Sequence, residues 1–145
     1  MKIEFNVKGR PPRKSGAKSC WASDEANYVL EFRLKALEAK KNLELSEPVM
    51  EPVKLTLEIY SPNITDRSNS QTYLGDLDTF VAGVCESLQP ADFQVTPNII
   101  FKDHEDVHPS LPLILKDDAQ VVEVIAKKIP DDHEHYSLII ETIEY

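Results

Sequence analysis

Two pairs of aspartates in this chain could supply the ligands of a divalent-metal site. Asp76 and Asp78 enclose a single leucine, and Asp117 and Asp118 are adjacent. Carboxylate oxygens are hard ligands that suit Mg2+ or Mn2+, and these ions also bridge to phosphate groups. A metal held there could polarise a phosphoryl oxygen and activate a water for attack. The pattern therefore indicates phosphoryl chemistry, if both pairs meet in the fold.

The elements that carry the aspartates allow a second interpretation. A helix is predicted to begin at Asp76, because apolar residues recur at helical spacing up to Leu88. Asp117 and Asp118 precede a predicted helical turn at residues 119–121. Free N–H groups at a helix start favour carboxylates, so Asp76 or Asp78 could serve only as a helix cap. The aspartates alone leave a metal site and a capping role open.

The charge is unevenly distributed along the chain. The net charge is -9, but residues 1–18 carry six cations against Glu4, a net charge of +5, which leaves -14 for residues 19–145. The cations from Arg10 to Lys18 lie in a segment with two prolines and a glycine, which predicts a loop. Such a loop could bind phosphates or could simply be solvated.

The remaining elements follow from apolar periodicity. Alternation predicts four strands and spacing of three to four predicts one more helix, which begins at Ser23 or Asp24. The strands are expected at residues 2–7, 53–60, 122–129 and 136–144, and this helix is expected to end near residue 41. The last two strands are expected to pair as an antiparallel hairpin. Residues 89–114 contain four prolines and predict an irregular insertion with a short strand at residues 98–101.

Several segments together resemble the RusA-like Holliday-junction resolvases. The resemblance lies in residues 75–80 (Gly-Asp-Leu-Asp-Thr-Phe), in residues 116–122 (Lys-Asp-Asp-Ala-Gln-Val-Val) and in residues 127–130 (Lys-Lys-Ile-Pro). The basic segment 9–14 is similar to the N-terminal loop of the family. Most of the chain is covered, apart from residues 66–70 and 89–114.

The resemblance implies an α+β fold with a small mixed sheet of about four to five strands and two main helices. It also implies a homodimer that depends on Mg2+, with Mn2+ as a possible substitute, and that makes paired incisions in branched DNA. The catalytic metal ligands would be Asp76, Asp78 and Asp118, with Asp117 in support. The cations expected to bind DNA are Arg10, Arg13, Lys14, Lys18 and Lys116.

The chain departs from the family pattern at two positions of the second helix. Family members often carry a catalytic lysine four residues after the second aspartate, where this chain has Ala82, and Thr79 replaces the usual asparagine. A cation from elsewhere, such as Lys14, Lys18 or Lys116, would have to act instead. The alternatives are a non-catalytic relative that binds branched DNA or a protein, and a nuclease that acts on flaps or single strands.

Length and composition restrict the other possibilities. A chain of 145 residues with four glycines predicts one domain and contains no Rossmann or Walker loop, so no nucleotide cofactor is expected. No apolar run reaches the length of a membrane span, which excludes a membrane partner and favours the cytoplasm. The two cysteines do not suggest a disulfide scaffold, and Cys85 lies on an apolar helix face.

A few further residues allow two interpretations each. Trp21 follows the basic loop and could stack on a base, but core or dimer packing is favoured for a lone tryptophan. His133 and His135 could be metal ligands, but a polar hairpin turn is favoured because a third ligand is not evident nearby. The same argument applies to His104 and His108 in the irregular insertion.

Overall fold

The computed structural model describes residues 1–144, which form a mixed four-stranded sheet with two main helices and three short 3-10 turns. This confirms the predicted α+β class. No helix in this range has the length and apolar character needed to cross a membrane. The main elements are β1 (Lys2–Lys8), α1 (Ala26–Asn42), β2 (Val53–Ser61), α2 (Leu77–Leu88), β3 (Val121–Pro130) and β4 (His135–Thr142).

The order of the strands in the sheet is β1-β4-β2-β3. The predicted β3–β4 hairpin is therefore wrong: β4 pairs antiparallel with both β1 and β2, and β3 pairs parallel with β2. The turn between β3 and β4 crosses the end of β2, where Asp131 N donates to Ser61 O at 3.1 Å. A strand between two neighbours buries more apolar area than a strand at an edge, and β4 carries the buried side chains of Tyr136, Leu138 and Ile140.

One face of the sheet forms the main core. The buried side chains alternate with more exposed ones along β1 and β2, as the predicted strand period requires. Both helices pack on this face, because Phe32 of α1 and Phe80 and Val84 of α2 join the same cluster as the strand residues. Because α2 packs on the sheet, the residues just before and just after this helix have fixed positions relative to the sheet.

Helix α1 begins at Ala26, slightly later than the predicted start at Ser23 or Asp24. The residue before it, Glu25, makes no side-chain cap. Its carboxylate instead accepts hydrogen bonds from both terminal nitrogens of Arg10 at 2.6 and 2.7 Å and from the backbone N–H of Arg13 at 2.7 Å. The start of α1 therefore anchors the basic loop.

Residues 89–114 are folded onto the helices, although they contain little regular structure. The short strand expected at residues 98–101 is wrong, because Ile99–Asp103 form a 3-10 helix whose first turn is capped by the side chain of Asn98. Trp21 is fully buried beside Phe101, with ring centroids 5.2 Å apart. The core role predicted for Trp21 is confirmed, and the tryptophan joins this segment to α1.

A buried arginine holds the same segment in place. Arg33 of α1 is 1% exposed and faces no carboxylate within hydrogen-bonding distance in residues 1–144. Its guanidinium donates to three backbone carbonyls, those of Ser87, His108 and Leu111, and lies 4.9 Å from the Trp21 ring. Burial lowers the pKa of Arg33 to about 9. The three hydrogen bonds connect α1, the end of α2 and the end of the irregular segment.

The basic loop lies directly on helix α2 at its one glycine. A Cβ atom added at Gly83 would overlap the carbonyl group of Pro12. Next to this contact, the backbone N–H of Lys14 donates to Thr79 O at 3.0 Å. Only a residue without a side chain allows the loop backbone to approach the helix so closely.

Gly83→Ala should therefore destabilise the protein. An alanine inside an exposed helix is normally more stable than glycine by about 1 kcal/mol. Here we expect a net loss of about 1–3 kcal/mol, because the added methyl group forces the Pro12 backbone away from α2. Urea unfolding measures the difference, and a more stable variant would contradict the close contact.

Candidate functional site

Asp76 lies at the entrance of α2 but does not cap the helix with its side chain. Its Oδ1 accepts hydrogen bonds from Arg67 at 2.5 Å and from the Tyr73 hydroxyl at 2.8 Å. The side chain of Asp76 therefore does not act as a helix cap. The carboxylate is held by the loop between β2 and α2, and one of its partners is a cation.

Asp78 lies in the first turn of α2 and is exposed to solvent. Within residues 1–144 its carboxylate has no hydrogen-bond or ion-pair partner. Asp78, Ala82 and Glu86 are spaced four residues apart, so they follow one another along one side of the helix. A second acidic residue therefore lies on the same side as Asp78, one turn beyond the position where the family carries lysine.

The second aspartate pair forms a capped turn beside the other end of α2. Asp117 caps the 3-10 turn Asp118–Gln120 by accepting from Ala119 N at 2.9 Å. The backbone N–H of Asp118 donates to the side chain of Gln89 at 2.8 Å. Gln89 directly follows α2, and this bond fixes the turn against the helix.

The carboxyl group of Asp118 is in an unfavourable electrostatic environment. Its pKa is raised, first by partial burial, then by a hydrogen bond and charge repulsion with Asp117, and further by the charge of Glu86. Lys14 acts in the opposite direction and lowers the pKa of Asp118. Negative charge is concentrated here, and a cation close to Asp118 would stabilise its ionised form.

The two aspartate pairs do not form a common metal site in this arrangement. Among residues 1–144, no three His, Cys, Asp or Glu side chains are close enough to hold one ion. Asp76 precedes α2, whereas Asp118 is bonded to the residue that follows it, and a helix of 12 residues is about 18 Å long. The shared site predicted for Asp76, Asp78 and Asp118 stays a prediction that requires these groups to move closer together.

The cations of the basic loop are partly engaged within the protein. Arg10 makes the two-pronged ion pair with Glu25 and lies 3.7 Å from the Tyr28 ring. This pairing raises the pKa of Arg10 and lowers that of Glu25, although burial opposes both shifts. The guanidinium of Arg13 lies 5.9 Å from the Phe80 ring of α2. Arg10 thus holds the loop in place, and its predicted role in DNA binding stays untested.

Lys14 brings a cation to the acidic side of α2. Its backbone is bonded to Thr79, and its ammonium group lies 3.5 Å from the carboxylate of Glu86. Thr79 and Glu86 are seven residues apart, so the lysine side chain follows the helix past Ala82. The ammonium group of Lys14 therefore places a positive charge on the side of α2 that carries Ala82 and Glu86.

Two predicted DNA contacts lie on the surface. Lys18 and Lys116 are exposed, and neither ammonium group forms an ion pair within the described range. Lys18 lines a cleft of about 540 Å3 that also contains Arg13, Arg67 and Asp76. Three cations thus border the same cavity as Asp76, and Asp24 and Glu25 also line it, so its cations and carboxylates are equal in number.

Three residues of this region were not among the sequence candidates. The first is Glu86, which binds Lys14, the hydroxyl of Ser19 at 2.6 Å and the thiol of Cys20 at 3.2 Å. The second is Glu25, which binds Arg10, and the third is Arg67, which binds Asp76. The spacing of four from Asp78 to Ala82 and Glu86 was a signal for Glu86. Glu25 and Arg67 carry no comparable signal, because their partners are distant in sequence or lie in an irregular loop.

Cys85, His135 and His108 each contact other residues of the protein. Cys85 is partly buried against the main core, and burial, followed by the charge of Asp118, raises its pKa to about 11. His135 bonds to Asp131 at 2.7 Å and stacks on Tyr60 with ring centroids 4.4 Å apart. His108 bonds to the hydroxyl of Ser110 at 2.7 Å.

Neither a protein-family model nor a curated protein matches the chain. The resemblance to the RusA-like resolvases therefore depends on sequence motifs, which include residues 9–14, 75–80, 116–122 and 127–130.

Asp118→Asn should increase the stability of the protein at neutral pH. A raised pKa means that the folded state binds the Asp118 proton more tightly than the unfolded state, so the ionised carboxylate lowers stability above that pKa. The uncharged amide removes this penalty at pH 7, and the gain should disappear below the ordinary pKa of aspartate. Urea unfolding at several pH values measures this difference.

Asp132→Asn is the matched control, because Asp132 is an exposed aspartate on the turn between β3 and β4. It should show no comparable gain. Equal effects of both variants at pH 7 would contradict the repulsion assigned to Asp118.

Proposed function

We propose that the protein is a Mg2+-dependent endodeoxyribonuclease that resolves four-way DNA junctions. The observation that carries the proposal is the packing of the basic loop on α2 at Gly83 and Thr79. Because of this contact, the cations expected to bind phosphate lie beside the carboxylates expected to bind metal. The motifs that resemble the RusA-like resolvases provide both sets of residues.

The cleft beside α2 suits a DNA backbone next to a metal ligand. Arg13, Lys18 and Arg67 can neutralise phosphates there, and Asp76 lies among them. Lys116 precedes the second aspartate pair, where it can contact a neighbouring phosphate. Binding would weaken as salt rises, and the dependence would be shallow because few phosphates are neutralised.

The donor chemistry of the aspartates fits a hard cation. Asp76 and Asp78 at one end of α2 and Asp118 at the other, with support from Asp117, would have to approach one another to hold it. A bound Mg2+ or Mn2+ would then polarise the phosphate and make a nearby water more acidic. Asp76 must leave Arg67 for this purpose. The Arg67 side chain is 73% exposed, so it can turn toward a phosphate at little cost.

Lys14 is the residue that we assign to replace the missing lysine at Ala82. Its ammonium group lies on the acidic side of α2 and acts electrostatically on Asp118. A cation held there can stabilise the negative charge that builds up on the phosphate during cleavage. Glu86 positions Lys14 and does not contact DNA in this scheme.

The substrate also sets requirements for the assembly. A four-way junction offers two equivalent strands, so a homodimer with two equivalent sites matches its symmetry. We place the activity in the cytoplasm, where Cys20 and Cys85 would stay reduced. No nucleotide cofactor takes part in the scheme.

A non-catalytic relative that binds branched DNA is the second candidate. Two observations favour it: no three ligands form a metal-holding group among residues 1–144, and Ala82 replaces the family lysine. Such a protein would bind a four-way junction and would not cut it with either Mg2+ or Mn2+.

We expect the wild type to cut a synthetic four-way junction only when Mg2+ or Mn2+ is added. Asp78→Asn should lower the cleavage rate by roughly a hundredfold or more, because one charged ligand is lost. Junction binding should be retained or become tighter, since a negative charge near phosphate is removed. Gel assays of cleavage, with binding measured in Ca2+ or EDTA, test both parts.

Asp132→Asn should leave the cleavage rate unchanged, and competition with flap and single-stranded DNA tests the preference for junctions. A wild type that binds the junction but does not cut it would support the non-catalytic candidate. Normal cleavage by Asp78→Asn would exclude the catalytic scheme.

A further inference from the structure

Strand β3 forms an open and unusually apolar edge of the sheet. Among residues 1–144 it pairs with β2 alone, so its outer backbone groups have no strand partner. Val122, Val124 and Ile125 are 48%, 39% and 38% exposed. Open edges are normally short, charged or covered, because they pair readily with other strands. Glu123, Lys127, Lys128 and Pro130 give β3 part of this protection, but Val122, Val124 and Ile125 stay exposed along the open edge.

The sequence of β3 is complementary to itself in one antiparallel register. When a strand pairs with its own copy across a two-fold axis normal to the sheet, residues on the same face must lie opposite one another. If the axis passes through Ile125, Glu123 lies opposite Lys127 of the other copy, and Val124 lies opposite Ala126. The two-fold repeats each pair, so two opposite-charge contacts and two apolar contacts flank a central Ile125–Ile125 pair.

Shifting this register by two residues loses the charge match. An axis through Val124 places Glu123 opposite Ile125 and Val121 opposite Lys127. An axis through Ala126 places Ile125 opposite Lys127 and Glu123 opposite Ile129. The register centred on Ile125 is the one of these three that places Glu123 opposite Lys127, and it leaves Lys128 opposite Val122.

We propose that β3 is the dimer interface of the protein, where two copies join edge to edge into a continuous eight-stranded sheet. The partner is a second copy of this chain, and its β3 runs antiparallel with Ile125 on the two-fold axis. The contact covers the exposed valines and gives the outer N–H and C=O groups of β3 their partners. It does not depend on whether the protein cuts DNA.

The arrangement also sets the distance between the two candidate sites. The two Val121 residues lie at opposite ends of the paired strands, about 26 Å apart for eight residues at 3.3 Å each. Each Val121 directly follows the turn that carries Asp118. The dimer would therefore hold two equivalent acidic turns apart, on the two sides of a central strand pair.

A charge swap tests the interface by sedimentation equilibrium. Glu123→Lys and Lys127→Glu should each weaken the dimer about tenfold, because each places like charges opposite one another twice. The double variant should restore wild-type affinity. Within one chain, Glu123 faces Lys54 at 3.9 Å and Lys127 pairs with Glu58, so the double variant keeps both new repulsions inside each subunit. If the double variant regains the dimer affinity of the wild type, the gain could come only from the contact between the two copies.

A cysteine cross-link tests the register. Residues opposite each other on antiparallel strands have Cα atoms about 4.5–5.5 Å apart, which suits a disulfide. Ile125→Cys should therefore form a covalent dimer under mild oxidation. Val122→Cys, on the same strand and at least as exposed, should not, and the wild type controls for Cys20 and Cys85.

Three outcomes would overturn the proposal. The first is a wild type that stays monomeric up to about 100 μM, a weak limit for a specific homodimer. The second is a dimer that the single charge changes do not weaken, as expected if the open sheet face or another surface joins the copies. The third is equal cross-linking of Ile125→Cys and Val122→Cys.

Discussion

The contact between the Pro12 backbone and Gly83 is the constraint on which the candidate site depends. Gly83 lets the basic loop lie against α2, where Lys14 N–H donates to Thr79 O and the Lys14 ammonium group reaches Glu86. The contact is supported on its other side by Glu25, which binds Arg10 and the backbone of Arg13. Two helices thus hold one loop, and the loop carries the cations to the acidic side of α2.

Some of the many acidic residues of the chain form ion pairs with its own cations. Several cations that could serve a nucleic acid are first used inside the protein, in the pairs Arg10–Glu25, Lys14–Glu86 and Arg67–Asp76. The pairs differ in burial, so they differ in how easily they open. The exposed Arg67–Asp76 pair costs the least to open, and the half-buried Arg10–Glu25 pair costs the most. The protein therefore has a fixed anchor at α1 and an adjustable contact at the entrance of α2.

Local patterns predicted the fold well, and long-range pairing was beyond them. The alternation in residues 2–7 and 53–60 and the helical spacing up to Leu88 identified elements that the structure contains. The same alternation does not distinguish a central strand from an edge strand, so the position of β4 between β1 and β2 was missed. For the site, the motifs identified the aspartates at both ends of α2. The ion pairs of Asp76 with Arg67 and of Arg10 with Glu25 depend on tertiary contacts that no local pattern encodes.

The central position of β4 has a consequence for how the chain folds. In the described part of the chain, residues 1–144, strand β1 pairs only with β4, so residues 2–8 must wait for residues 135–141 to find their backbone partners. Pairings so distant in sequence slow folding, because a long loop must close before any contact rewards it. During synthesis, the apolar side of β1 can pack on α1, where Phe5 meets Phe32, but the backbone groups of β1 stay unpaired until β4 has been made. The backbone of β1 should thus be among the last parts of the sheet to find its partners.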